Sequence, residues 1–184
     1  MGELHSFHIF FRESCIHRYL CSSAAVTAVK HCTAFDHGRE KNAAEISSSN
    51  EDGAPTSDAA VTEELAKYNI QYEKLLIGFI SGLTSFCKTI HLTNELERTE
   101  GLSVSYFNVC STSNFKIHYF ETVTGYKLVC ITSPEVPSLE LTLNAIYTDL
   151  IVKMVISNPL YTIGGMISCP QFKEIVAKTL LANM

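Results

Sequence analysis

Residues 115–129 read FKIHYFETVTGYKLV and predict two neighbouring strands of an antiparallel sheet. Apolar side chains alternate with others from Phe115 to Thr122, as expected for a strand with one buried face. Gly125 then closes a tight turn, because glycine readily adopts the positive φ that such turns need. Tyr126–Thr132 supplies the second strand, so this stretch commits the chain to a sheet built from hairpins.

Further strands are predicted on the N-terminal side of this hairpin. Leu102–Cys110 is apolar enough for a strand, and together the three strands would form an antiparallel meander. Leu4–Phe11 and Cys15–Leu20 read as two more strands, separated by a turn at residues 12–14. The strand count is therefore five.

Three helices complete the predicted order. Thr62 can cap a long helix that runs to about Ile90, and Ser138 can cap a second helix that ends near Ser157. A third, short helix begins at about Ser168, with a proline in its first turn. Strands and helices in this order predict one α+β domain over residues 1–184, an antiparallel sheet that carries helices.

The spacing of apolar residues predicts which helical faces are buried. In the long helix, a single arc holds Leu65, Tyr68, Tyr72, Leu75, Leu76, Phe79, Leu83, Phe86 and Ile90. In the second helix, the inward set is Leu139, Leu143, Ile146, Tyr147, Leu150 and Met154. In the third helix, it is Phe172, Ile175, Val176 and Leu180.

Two other helical faces are candidate protein interfaces. The far side of the long helix is lined by small residues, which would let another backbone approach closely, although an ordinary solvent face would also tolerate them. The second helix has apolar residues on a second face, which predicts burial on both sides or a partner. The candidate interface residues are Ile77, Gly78, Ser81, Gly82, Ser85, Leu141, Val152, Val155 and Ile156.

Charge divides the chain unevenly. Of the formal net charge of −5, the stretch Asp36–Glu64 contributes −6 through eight acidic and two basic residues, which leaves +1 for the remainder. This stretch is poor in large apolar residues, so we expect a disordered acidic insertion at about residues 22–62. The insertion would be an untethered loop, and the alternative is a segment that serves regulation or docking.

The acidic balance of the whole chain argues against nucleic-acid binding. No membrane span or signal peptide is predicted.

Enzymatic and metal-binding motifs are weak. The sequence has no phosphate-binding glycine loop, nucleophile elbow or zinc-protease helix, so no catalytic residue and no cofactor is predicted. The N-terminal third is rich in cysteine and histidine, and by strand parity Cys15, His17 and Cys21 would share one face. No CxxC or HxxxH spacing occurs, so no metal site is predicted, and a zinc- or thiol-dependent enzyme is kept only as an alternative. The residues concerned are His5, His8, Cys15, His17, Cys21, His31, Cys32 and His37.

The hairpin at residues 115–129 resembles the synbindin family of small subunits of the TRAPP vesicle-tethering complex. That family often has an aromatic-Lys-Leu-His strand followed by a Thr-x-Thr-Gly turn. Ile146-Tyr147, the Asn158-Pro159-Leu160-Tyr161 segment and the Ile167-Ser168-Cys169 entry to the last helix are similar in order and spacing. Within the family, the insertion favours the synbindin type, and the smallest-subunit type comes second.

The resemblance implies a longin (SNARE-like) fold, with one helix on one face of a five-stranded sheet and two on the other. It also implies a non-enzymatic scaffold role in endoplasmic reticulum-to-Golgi transport. Expected partners are other TRAPP subunits and, through the assembled complex, a Rab GTPase whose nucleotide exchange the complex promotes. Membrane association would be peripheral, on the cytoplasmic side of the endoplasmic reticulum and cis-Golgi. Another longin-domain trafficking protein is the alternative.

Overall fold

The sheet has five strands, and each neighbouring pair is antiparallel. The computed structural model describes residues 2–20, 57–91 and 106–184, with the side chains of the first helix described from residue 69 to 90. The spatial order of the strands is β2-β1-β5-β4-β3. Their bounds are β1 Leu4–Phe11, β2 Ser14–Leu20, β3 Val109–Ser111, β4 Lys116–Glu121 and β5 Tyr126–Thr132. The predicted hairpins are confirmed.

The two hairpin turns meet at one end of the sheet. Gly125 has a φ of +88°, which confirms the predicted tight turn. Arg12, in the β1–β2 turn, takes a left-handed φ of +57° without being glycine. Its N–H donates to the carbonyl of Gly125 at 2.8 Å, so the neighbouring turn satisfies a backbone donor at this strained position.

β3 is much shorter than predicted. The sequence favours a strand over Leu102–Cys110, but the described ladder spans only Val109–Ser111. Residues 102–105 lie outside the described residues. Asn108 precedes the strand, and its carbonyl still accepts a hydrogen bond from the N–H of Tyr119 at 2.8 Å. From residue 106 onwards, where the structure describes this edge, the pairing with β4 is therefore short and irregular.

The helices begin at different residues from those predicted. Helix α1 spans Ser57–His91, so the predicted cap at Thr62 is wrong and the end of the predicted insertion is helical. The rest of that insertion lies within residues 21–56, which the structure does not describe. Helix α2 comprises Glu140–Ala145 and the continuing segment Ile146–Ile156, and no side chain caps its start, so the role predicted for Ser138 is also wrong. Helix α3 spans Pro170–Ala182, with proline in its first turn as predicted.

The helices cover both faces of the sheet. One apolar cluster joins the sheet to α1 and contains Phe10, Leu76, Ile77, Ile80, Ile117, Tyr119, Val129 and Ile131. The opposite cluster joins the sheet to α2 and α3, and includes Phe7, Ile9, Leu128, Leu143, Ile151, Phe172 and Val176. One helix on one face and two on the other confirm the α+β, longin-type architecture expected from the sequence.

Helix α1 is rotated by about 90° from its predicted orientation, at about 100° per residue. The sheet contacts the arc of Leu76, Ile77 and Ile80. Of the arc predicted to be inward, Leu76 is buried as predicted, but most of the described members, including Leu75 and Phe79, are exposed. The reason is that α1 carries more apolar surface than one sheet face can cover, and periodicity selects the larger arc rather than the one that the sheet contacts.

Helix α2 changes its winding after Ala145. Residues Ile146–Ile156 form a π-helix, whose hydrogen bonds span five residues instead of four. The most buried side chains shift by one position: Ile151 and Val155 are in the core, whereas the predicted Leu150 and Met154 are half-buried, with Leu150 packed against the edge of the same cluster. In α3, Phe172, Val176 and Leu180 are buried as predicted, whereas Ile175 is exposed.

A matched pair of substitutions tests the rotation of α1. Because Ile80 is fully buried and Leu75 is 74% exposed, Ile80→Ala should lower the free energy of unfolding by about 2–5 kcal/mol, and Leu75→Ala by less than about 0.5 kcal/mol. Urea denaturation of the two variants checks this. The reverse order would support the orientation predicted from periodicity.

His118 is a buried polar residue that links β4, β5 and α2. Its Nδ1 accepts a hydrogen bond from the N–H of Leu139 at 3.3 Å, and its Nε2 lies 3.0 Å from the hydroxyl of Thr132. Burial, with a smaller contribution from the Lys116 ammonium, lowers the pKa of His118 to about 4. The neutral ring thus accepts a hydrogen bond from a backbone N–H at the start of α2, where no capping side chain does so.

Acidification should therefore weaken the fold through His118. The unfolded ring binds a proton below about pH 6.5, whereas the folded ring resists protonation down to about pH 4. Between pH 7 and pH 5, the wild type should lose about 1–2 kcal/mol more unfolding free energy than His118→Gln. Denaturant titrations at both pH values measure this difference, and equal losses would contradict it.

Candidate functional site

The solvent side of α1 carries a stripe of large apolar side chains. Leu75, Phe79, Phe86 and Ile90 are exposed by 74%, 48%, 63% and 50%. Their spacing places all four within an arc of about 60°, and Gly82 lies at its margin. We call Leu75, Phe79, Gly82, Phe86 and Ile90 the outer face of α1. Because large apolar side chains lie together on this exposed face, it is the candidate protein interface of the described chain.

Small residues border the outer face on one side. A Cβ built on Gly78 or Gly82 would have no neighbouring atom within 4 Å, so both positions open to free space. The hydroxyl of Ser85 donates to the carbonyl of Ser81 at 2.9 Å, and this bond stays within the helix. A partner could therefore cover this border without leaving the Ser85 hydroxyl donor unpaired.

The structure separates the predicted interface residues of α1 into two groups. Gly78, Ser81, Gly82 and Ser85 are exposed and lie beside the outer face, and their role in an interface stays a prediction. Ile77 is buried against the sheet, so its assignment to the interface is wrong. Helical periodicity predicts that the aromatic residues of the outer face lie in the core, and this is wrong. The sequence does carry a signal for their exposure, because a helix with two apolar arcs can bury only one of them against its own sheet.

The predicted interface on α2 is largely wrong. Val155 is in the core, and Val152 and Ile156 are half-buried and pack against the same cluster. The π-helical winding causes this, because it moves the buried positions by one residue. Leu141, which is 83% exposed, is the most accessible of the four predicted residues. Since α1 and α2 cover opposite faces of the sheet, the nine predicted residues do not form one surface.

A β-bulge changes which Cys and His residues share a face. In the β1–β2 pairing, Ile9 lies opposite His17 and Phe10 opposite Cys15, which leaves Ile16 as the extra residue. Cys15 therefore points towards α1, whereas His17 contacts Phe172 of α3 at a ring distance of 5.1 Å. The predicted common face of Cys15 and His17 is wrong. Cys21, His31, Cys32 and His37 lie outside the described residues.

The same bulge creates a polar cluster beneath α1. It places Arg18 opposite His8, on the face that α1 covers. The Nε of Arg18 lies 2.7 Å from a carboxylate oxygen of Glu73, a buried residue of α1. Burial, with a smaller effect of Arg18, lowers the pKa of His8 to about 4, and burial together with Glu73 raises the pKa of Cys15 to about 12. Neutral His8 and Cys15 thus surround one ion pair.

Comparison with known proteins decides the family. The sequence profile of the Sybindin-like family matches residues 7–183, which is nearly the whole chain. The chain belongs to the Sybindin-like family. This agrees with the resemblance seen in the hairpin at residues 115–129, and with the observed sheet and helix order.

Individual relatives of this Sybindin-like chain carry the names of complex subunits. Trafficking protein particle complex subunit 1 of Dictyostelium discoideum is 33% identical over 100 residues, or 54% of this chain and 66% of that protein. Transport protein particle subunit bet5 of Schizosaccharomyces pombe is 36% identical over 90 residues, or 49% and 52%. Trafficking protein particle complex subunit 4 of Dictyostelium discoideum is 34% identical over 101 residues, or 54% and 73%.

These matches are partial in length. The aligned part spans about half of this chain and between half and two thirds of the first two relatives. Within the residues that the structure describes, no helix has the length and hydropathy needed to cross a membrane.

Proposed function

We propose that this Sybindin-like chain is an assembly subunit of a trafficking protein particle (TRAPP) complex that acts in vesicle transport. The names of the relatives support membership of such a complex. The observation that carries the assembly role is the outer face of α1, where four large side chains are exposed on a helix otherwise anchored to the sheet. Burying a fully exposed Leu or Phe is worth roughly 1.5–3 kcal/mol, and since these side chains are 48–74% exposed a partner would gain about half to three quarters of that for each.

The proposed role is structural rather than catalytic for the isolated chain. Under this proposal, nucleotide exchange on a Rab GTPase belongs to the assembled complex. Such exchange requires a binding surface that favours the open state of the GTPase and no proton-transfer residue. The outer face of α1 is apolar and lacks titratable groups among its five residues, which suits a role in assembly.

Location follows from the same proposal. The complex would act between the endoplasmic reticulum and the Golgi, on the cytoplasmic side, and would bring this subunit to the membrane peripherally. The acidic segment at about residues 22–56 would then be an insertion in a single domain. The synbindin type stays a prediction, since two of the three relatives described above are named subunit 1 or bet5 and one is named subunit 4.

A glycine substitution tests whether a partner backbone approaches α1 closely. Gly82→Leu should weaken co-purification with other TRAPP subunits by at least about tenfold, because its side chain would occupy the space that the partner needs. The isolated fold should persist, since nothing lies within 4 Å of the added Cβ and leucine favours helix. Circular dichroism and pull-down yields measure the two effects. Wild-type yield would remove Gly82 from the interface.

A second pair of variants compares two exposed apolar positions. Phe86 in α1 and Leu181 in α3 are exposed by 63% and 58%. Phe86→Glu should reduce recovery of TRAPP partners by at least about tenfold, because a charge buried in an apolar interface is costly, whereas Leu181→Glu should not. Quantitative mass spectrometry of tagged, full-length chains in cells gives the comparison. Equal recoveries would refute assembly through the outer face.

A further inference from the structure

We propose that His8, Cys15 and Glu73 form a binding site for a divalent transition-metal ion of the zinc type, which fastens α1 to the edge of the sheet. A ring nitrogen of His8, the Sγ of Cys15 and a carboxylate oxygen of Glu73 all lie within 4.8 Å of one another. Nitrogen, sulfur and carboxylate oxygen are the three donor types that zinc uses in proteins. The site is independent of the outer face of α1, which lies on the other side of that helix.

The unpaired state of His8 is a second observation that points to a ligand. The side chain is fully buried, and among the residues that the structure describes neither Nδ1 nor Nε2 has a hydrogen-bond partner. A neutral imidazole has one donor and one acceptor nitrogen. Burying both without partners costs free energy, and native structures usually provide a partner for such groups. Its neighbours Phe10 and Tyr72 hold the ring by aromatic contact, so the ring cannot simply turn to solvent.

The dimensions suit a metal after a small contraction. Metal–ligand bonds of about 2.0–2.3 Å place the donors of a tetrahedral zinc ion roughly 3.3–3.8 Å apart. Side chains at a separation of up to 4.8 Å therefore need to move inward by about 1 Å. Three protein donors leave one tetrahedral position for water or another ligand.

Neighbouring groups position the Glu73 carboxylate and the Cys15 thiol for metal binding. Arg18 holds one oxygen of Glu73 at 2.7 Å, which orients the carboxylate as outer partners of metal ligands do and leaves the other oxygen available. The thiol of Cys15 donates to the carbonyl of His17 at 3.3 Å. Metal binding replaces this proton, so one proton leaves Cys15 for each ion that binds. The bulge at Ile16 is what brings Cys15 and Arg18 to the same face.

Zinc titration of the purified full-length chain tests the site. After removal of metal by a chelator, the chain should bind one zinc ion, release about one proton and gain thermal stability that rises with zinc concentration. Cys15→Ser and Glu73→Gln should each weaken zinc binding by more than about tenfold. Cys110→Ser is the matched control, because Cys110 is also a half-buried strand cysteine beside the α1 cluster, and it should bind as the wild type does.

Other cysteines could also capture zinc, and a second control addresses them. A Cys21→Ser/Cys32→Ser double variant removes two thiols outside the described residues and should retain the ion. Zinc binding that survives Cys15→Ser, disappears in the double variant or is absent from the wild type would overturn the proposal. If Cys15→Ser fails to fold, alkylation of the wild type decides: zinc should protect Cys15 but not Cys110, and equal protection would refute the site.

Discussion

The pairing of β1 with β5 is the constraint on which the fold depends. β1 lies between β2 and β5, and its ladder to β5 runs from the Leu4–Thr132 pair to the Phe11–Tyr126 pair. These partners are more than one hundred residues apart in the chain. The ladder unites the N-terminal hairpin with the β3–β4–β5 meander, and without it neither part could present a complete face to the helices. Closing so long a connection is entropically costly, and burial of both faces of β1 offsets that cost.

Burial on both faces explains the composition of β1. Phe7 and Ile9 face the cluster of α2 and α3, whereas Phe10 faces α1. A central strand covered on both sides has few solvent positions, so its polar residues must be accommodated inside. His8 is one such residue, and its position beneath α1 follows directly from the alternation of the strand. The polar cluster is therefore a consequence of where β1 lies in the sheet.

The sequence predicts the hairpins well and the helix faces poorly, for physical reasons. A hairpin is encoded locally: alternation and Gly125 specify both strands and the turn within eighteen residues, from Phe115 to Thr132. The buried arc of α1 is not local, because it depends on which apolar arc meets the sheet. Leu75 and Leu76 are chemically alike, yet one is exposed and the other is buried. For the candidate interface, the sequence predicts the exposure of the glycines and serines. It does not predict the exposure of the large side chains of the outer face of α1.

Two interruptions of regular hydrogen bonding account for the other differences. The bulge at Ile16 adds one residue to β2, and the π-helical winding after Ala145 lengthens each hydrogen-bonded turn of α2 by one residue. The bulge shifts the later side chains of β2 by one position, whereas the wider winding of α2 moves its side chains progressively away from an ideal α-helical repeat. Parity and 3.6-residue periodicity assume that no such interruption occurs, so they assign Cys15 and Val155 to the wrong faces.

Such interruptions persist where the altered side-chain positions are useful. In β2 the useful result is the approach of Cys15 and Arg18 to Glu73, because without the bulge His17 would lie opposite His8 and α1 would lose its ion pair with the sheet.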